Sequence, residues 1–211
     1  MSPLRVALAQ TSPVSADPGP PALEKAHSTS PFPTLDANLV DARDGVAAAA
    51  ARGADVVVFP EYFLQGVVND GRQYLTYASA HLQAFLAALA RTHSVAVVGT
   101  IVHGNIPPAA LHAPLPTGSP FEHLLTRGVG GITPAQRAWA VWLETHPQSY
   151  AEEVPVLHNT AFFIDADGEL KGSYVKQNLW HPEREYLTPG TKGTHVFDTK
   201  WGKAGFQICE L

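Results

Sequence analysis

The sequence has almost no cysteine. Its 211 residues include one, Cys209, so no intramolecular disulfide can form, which fits a reducing compartment. Runs of like charge are also missing, and the formal net charge of −5 is mild. That excludes a basic nucleic-acid-binding surface and takes nucleic acid off the list of expected partners. No apolar run approaches the length of a membrane span. The N-terminal Met1-Ser2-Pro3-Leu4-Arg5-Val6 lacks the basic-then-apolar layout of a secretory signal. A soluble cytoplasmic protein with no membrane partner is the expectation. The length suits one domain with a sizeable core, or one domain with a decoration.

Common catalytic signatures are absent too. There is no P-loop, no nucleophile elbow and no His-Glu-x-x-His. Gly128-Val129-Gly130-Gly131 does not complete a dinucleotide fingerprint, and no strand leads into it. Asp165-Ala166-Asp167-Gly168 could open a calcium loop, but the downstream ligands and closing glutamate are missing, so a plain hairpin turn is the better reading. Ten histidines are scattered along the chain, and none pairs at metal-ligand spacing on a predicted helix.

The hydrophobic pattern alternates strand and helix. Leu4 to Ala9 reads as a short buried strand ended by Thr11-Ser12-Pro13. Residues 12–33 are rich in Pro, Ser and Ala without periodicity, which predicts a surface loop or disordered insertion. Leu35, Leu39, Ala42, Val46, Ala49 and Ala50 predict a helix over 34–52, capped by Gly53. A strand follows at Ala54–Phe59, a second amphipathic helix at 71–92, and a third buried strand at Val95–Val102. This order predicts a layered α/β fold. Residues 103–153 break the rhythm with many prolines and glycines, then one helix whose start carries a capping box, Thr133-Pro134-Ala135-Gln136. Two hairpins complete the pattern: 158–164 with 169–175, and 194–199 with 203–209 around Trp201-Gly202.

Three strand ends carry the candidate chemistry. Phe59-Pro60-Glu61-Tyr62 places a carboxylate just past a buried strand, where partial burial would make it a usable base. Tyr174-Val175-Lys176 places an ammonium at another strand end, suited to stabilising an oxyanion. Gly205-Phe206-Gln207-Ile208-Cys209 ends in a thiol whose thiolate a nearby cation would favour. Taken singly, each has a plainer explanation: a solvated loop acid, a surface lysine, an inert packed cysteine. Glu, Lys and Cys in that order suggest a thiol hydrolase.

With their flanking residues these segments resemble the nitrilase superfamily of carbon–nitrogen hydrolases. Arg5-Val6-Ala7-Leu8-Ala9-Gln10 is similar to the family's opening strand, and Ala51 to Glu61 to the block carrying its catalytic glutamate. His158-Asn159-Thr160-Ala161-Phe162-Phe163-Ile164, followed by Asp167-Gly168, resembles its central hairpin. Tyr174 to Arg184 resembles its lysine block, and Thr188-Pro189-Gly190 also fits. The resemblance implies an α-β-β-α sandwich and a Glu-Lys-Cys triad at Glu61, Lys176 and Cys209, acting on a small amide, nitrile or carbamoyl substrate. It implies no metal or organic cofactor, and it suggests a homo-oligomer. Many family members add a second acid after the lysine. Glu183 is the candidate, with a salt bridge to Arg184 as the equal alternative. Tyr62 and Trp180 are candidate pocket walls, or simple packing.

The pattern departs from the family in three places. Residues 12–33 lengthen the loop after the first strand. Residues 103–153 replace a short connection, either as a lid that shapes substrate choice or as sequence translated from an intron. The family also continues well past the nucleophile, whereas here Glu210 and Leu211 follow it. The expectation is therefore a single, incomplete domain over 1–211 that lacks the C-terminal part of the sandwich and has doubtful activity by itself. An inactive fragment, or a binding or assembly module that keeps the motifs, is the alternative.

Overall fold

The computed structural model describes residues 3–19, 21, 29–105, 114–145, 156–193 and 196–208. In chain order the elements are β1 (Val6–Leu8), α1 (Pro33–Ala51), β2 (Val56–Val58), α2 (Ser79–His93), β3 (Ala96–Asn105), α3 (Pro134–Thr145), β4 (Val156–Ile164), β5 (Leu170–Val175), β6 (Val196–Thr199) and β7 (Gly202–Gly205). Short 3-10 turns occupy Gln73–Thr76, Glu122–Leu125 and His181–Glu185.

The first five strands form one sheet in sequence order. β1, β2 and β3 are parallel, and parallel neighbours need crossovers, which α1 and α2 supply. β4 and β5 return antiparallel through a tight turn. In that turn Gly168 takes φ +79 and donates its N–H to the Asp165 carbonyl at 2.9 Å.

α1 forms because its apolar side chains recur at helical spacing. Leu35, Leu39, Ala42, Val46 and Ala49 are all buried, and Pro33 starts the helix where a missing N–H costs nothing. Gly53, at φ +72, closes the helix with its N–H on the Ala50 carbonyl. α2 buries Leu82, Phe85, Leu86 and Leu89 in the same way. Strand alternation then sorts the sheet into two faces. Val97 and Ile101 of β3 join the core beneath the helices. Ala96, Val98 and Phe163 face the β6–β7 hairpin, where Phe197 packs 5.3 Å from Phe163. Gly172 is needed at this contact, because a Cβ there would lie 2.3 Å from the Phe197 ring. A helical layer, a five-stranded sheet and a second, two-stranded sheet are thus stacked in the order that an α-β-β-α sandwich requires.

Several elements differ from expectation. The helix predicted over 71–92 is split: a 3-10 turn at Gln73–Thr76 precedes α2. Asp70 and Gly71 both take positive φ, and the Thr76 hydroxyl donates to the Gln73 carbonyl at 2.8 Å, closing the short turn instead of continuing a helix. β1 is shorter than predicted and only half buried, with Val6 and Leu8 exposed and Ala7 on the core. As the outer strand it has a neighbour on one side alone. β7 ends at Gly205, so the strand predicted to reach residue 209 stops early, and Cys209 lies outside the described residues.

The described parts of the two proline-rich stretches are anchored to the rest of the fold at particular residues. The Asn38 side chain accepts from Val14 N–H (2.8 Å) and donates to the carbonyls of Val14 (3.0 Å) and Leu64 (2.7 Å), tying residues 12–19 to α1. In the second stretch, the capping box of α3 forms in full. Gln136 N–H donates to Thr133 Oγ1 at 3.1 Å and Thr133 N–H to Gln136 Oε1 at 3.0 Å. Trp139 is fully buried against Phe32 and His81, and its indole N–H donates to the Gly118 carbonyl at 2.9 Å. Arg43 of α1 donates to the carbonyls of Leu124 (2.8 Å) and Arg127 (2.7 Å). Residues 106–113 and 146–155 lie outside the described residues.

Candidate active site

Two strand ends, and the turn that follows one of them, meet at one end of the sheet. β2 runs into Phe59, whose N–H still pairs with the Val98 carbonyl, and Glu61 follows two residues later. β5 runs into Lys176, whose N–H pairs with the Asn159 carbonyl of β4 at 2.8 Å. The 3-10 turn after β5 carries Glu183. Backbone pairing thus fixes where each side chain starts.

The side chains converge on the Lys176 ammonium. Its Nζ lies 2.8 Å from Glu61 Oε1, and 2.9 and 2.7 Å from Glu183 Oε1 and Oε2. The side chains of Lys176 and Glu183 are 1% exposed and that of Glu61 is 26% exposed. Burial by itself would depress the lysine pKa, but the hydrogen bonds to Glu183 and Glu61 outweigh it and hold the pKa above its ordinary value. Lys176 therefore stays an ammonium.

The amide of Asn159 completes the arrangement. Its Nδ2 donates to Glu61 Oε1 at 2.7 Å, so that oxygen accepts from both Asn159 and Lys176. The other oxygen, Oε2, makes no hydrogen bond among the described residues and remains free to accept a proton. Asn159 is fully buried, and its own Oδ1 has no partner among the described residues.

Tyr62 does more than pack. Its phenol donates to Glu183 Oε1, and its backbone takes φ +62, a left-handed conformation that costs a bulky residue about 1–3 kcal/mol. The reversal is held at both ends. Tyr62 N–H donates to Thr100 Oγ1, and the Tyr62 carbonyl accepts from Gly66 N–H, each at 3.0 Å. Burial first, then the bond to Glu183, raises the phenol pKa and keeps it neutral. Tyr186 borders the same group, and burial raises its pKa as well.

The two readings of Glu183 separate here. Glu183 pairs with Lys176 and not with Arg184, whose Nε donates to the Leu179 carbonyl at 3.3 Å. A second acid beside the lysine is what the geometry shows. Trp180 is 58% exposed and contributes its backbone N–H to Glu183 Oε2 at 2.8 Å. Of Glu61, Lys176 and Cys209, the first two meet and the third lies outside the described residues. Asn159 has no local signature in the sequence, because it sits between two other polar residues, His158 and Thr160. No group of three or more His, Cys, Asp or Glu side chains suited to a metal ion occurs among the described residues.

Comparison with known proteins gives the family and the fold. The family model described as carbon-nitrogen hydrolase matches residues 5–113 and 133–210. A citrullinase from Francisella tularensis is 39% identical over 56 residues, 25% of this chain and 20% of that protein. An N-carbamoylputrescine amidase from Arabidopsis thaliana is 40% identical over 68 residues, 30% of this chain and 23% of that protein. Among solved structures, the NitN amidase from Neterenkonia sp. AN1 superposes with a TM-score of 0.56 at 18% identity, over 96% of this chain and 55% of that one. The chain thus spans about half the length of that structure, and at this identity the likeness speaks for the fold.

Proposed function

The chain belongs to the carbon-nitrogen hydrolase family, and on that premise we propose that it hydrolyses a non-peptide C–N bond of a small amide, nitrile or carbamoyl compound with Glu61, Lys176 and Cys209 as catalytic residues. The observation that carries the proposal is the Lys176 ammonium bound between Glu61 and Glu183, with Glu61 Oε2 making no hydrogen bond among the described residues.

Each group has one task. Glu61 Oε2 takes the proton from Cys209 Sγ, and the thiolate attacks the substrate carbonyl carbon. The carbonyl π pair moves to oxygen, and the Lys176 charge stabilises the resulting oxyanion. When the tetrahedral species collapses, the C–N bond breaks and the nitrogen takes the proton held by Glu61. A thioester on Cys209 remains. Glu61 then takes a proton from water, the hydroxide attacks the thioester, and sulfur leaves with that proton. A nitrile enters the same sequence through a thioimidate. Glu183 and Tyr62 hold Lys176 in place and ionised, and Asn159 keeps Glu61 Oε1 occupied so that proton transfer runs through Oε2. The reaction needs no metal.

Two relatives take their names from citrulline and N-carbamoylputrescine. Both molecules present a carbamoyl group on an amine, which favours that class among the three. The deciding measurement is intact-mass trapping with an activated ester or amide. An acyl adduct should appear on Cys209, and it should vanish in Cys209→Ala and in Glu61→Gln. An adduct that forms equally in Glu61→Gln would show that the thiol reacts without this base, and the assignment would be wrong.

A further inference from the structure

On the helix-facing side of the sheet, opposite the Glu61–Lys176 group, β3 and β4 bring two histidines together. His103 and His158 are direct partners in the antiparallel register, and their rings lie 6.2 Å apart with planes tilted by 53°. The sequence hides this pair, since 55 positions separate the two residues and neither is on a helix.

Each ring has one nitrogen already engaged. His158 Nδ1 lies 2.8 Å from the Thr188 carbonyl. A carbonyl can only accept, so Nδ1 carries the proton and the neutral ring keeps its lone pair on Nε2. His103 Nε2 lies 2.7 Å from Thr160 Oγ1; when it donates there, Nδ1 keeps the lone pair. Metal-bound histidines are oriented in this way, by a carbonyl or hydroxyl on the nitrogen remote from the ion. Burial, followed by the proximity of His158, lowers the His103 pKa and favours the neutral ring that a metal needs.

An ion can be shared if the rings close slightly. With metal–nitrogen bonds of about 2.0–2.1 Å and roughly 1.1 Å from nitrogen to ring centre, two imidazoles bound at a tetrahedral angle have centres about 5 Å apart, so rings now 6.2 Å apart would approach by about 1 Å on binding. The His103 side of the pair is reachable. His103 and Thr160 line an open cavity of about 390 Å³ together with Ser79 and Gln83 of α2 and Ser173 of β5. These polar walls can hold the waters that would complete the coordination.

We propose that His103 and His158 form a two-histidine site for a borderline divalent transition-metal ion, of which Zn²⁺ is the reference case. The ion bridges β3 and β4 across their paired strands. It has no part in the hydrolysis proposed above and does not depend on that reading. Its effect is on the strand: His158 and Thr160 flank Asn159, so an ion held on one face stiffens the segment that presents Asn159 to Glu61 on the other. An imidazole pair should bind Cu²⁺ more tightly than Zn²⁺ and Mg²⁺ not at all.

The test is calorimetric titration of the metal-stripped full chain with ZnCl₂. The highest-affinity phase should correspond to one ion per chain. His103→Gln and His158→Gln should each weaken it by more than tenfold, and Thr160→Val by roughly tenfold, while His181→Gln leaves it unchanged. In the unaltered chain, Zn²⁺ should protect His103 and His158 from diethyl pyrocarbonate, as read by peptide mass, so the result does not depend on variants that fold. Unchanged affinity in both Gln variants, or equal modification of the two rings with and without Zn²⁺, would overturn the proposal.

Discussion

Asp36 should make the stability of this protein fall as the pH rises. It sits in the first turn of α1, 2% exposed, where Gln136 of α3 donates to its Oδ2 at 2.9 Å and its Oδ1 has no partner among the described residues. Burial raises its pKa from 3.8 to about 7, against the opposing bonds from Ser30 and Gln136. Between these two values the unfolded chain has lost the proton and the folded chain still holds it. Folding binds protons across that window, so stability falls as the pH rises from about 4 to about 7 and levels off above. The 3.2-unit difference between the two printed values corresponds to about 4 kcal/mol. The penalty falls where α3 docks on α1.

Asp36→Asn removes the titration and keeps an acceptor for Gln136. Urea unfolding of both proteins from pH 4.5 to 8.5 isolates the effect, because other groups titrate in the same range and cancel in the difference. His81, His103 and His123 have lowered pKa values, mainly through burial. Their contribution runs the other way, with stability gained as the pH rises towards 6.5. The gap between Asp36→Asn and the unaltered protein should widen in favour of the variant by about 3 kcal/mol between pH 4.5 and 8, the first ~1 kcal/mol having been lost below that window. Parallel pH profiles would show that Asp36 ionises in place without penalty, and the account of the docking contact would fail.

Two further substitutions test the packing of the site and the insert. Glu183→Gln leaves the buried Lys176 with Glu61 as its one carboxylate. It should cost about 3 kcal/mol, seen as a drop of roughly 6–12 °C in Tm by calorimetry. An unchanged Tm would mean that Glu61 alone suffices. Thr133→Ala breaks the reciprocal cap of α3 and should cost about 1 kcal/mol in urea unfolding; a cost above about 3 kcal/mol would show that Thr133 supports more than the cap.

What could be read from the sequence was local. The period of Leu35, Leu39, Ala42 and Val46 gives α1. The Thr133–Gln136 spacing gives the start of α3, and the turn at Asp165–Gly168 gives the β4–β5 hairpin. Glu61 and Lys176 were visible because each follows an apolar strand directly. What escaped depends on distant partners. Glu183 remained ambiguous because its sequence neighbour Arg184 and its spatial neighbour Lys176 are both cations. Tyr62 looked like a pocket wall because neither its φ nor its bond to Glu183 has a sequence signature. The docking of the insert depends on contacts such as those of Arg43, which reaches carbonyls more than 80 positions away. The helix predicted across residues 71–92 failed because periodicity cannot see a Thr76 side chain closing a shorter turn.

β4 shows why strand residues escape a linear reading and why they carry so much here. Alternation sends Asn159 to one face, against Glu61, and His158 and Thr160 to the other, against His103. A shift of one residue in register would exchange the two sets, putting an imidazole beside the lysine and an amide beneath α2. The register is fixed by nine consecutive pairs between β3 and β4, from Val97↔Ile164 to Asn105↔Val156. Large apolar residues at the inner end, Phe162 and Ile164 towards the helices and Phe163 towards β6, leave no second way to bury that strand. The apolar end of β4 therefore sets the chemistry at its polar end.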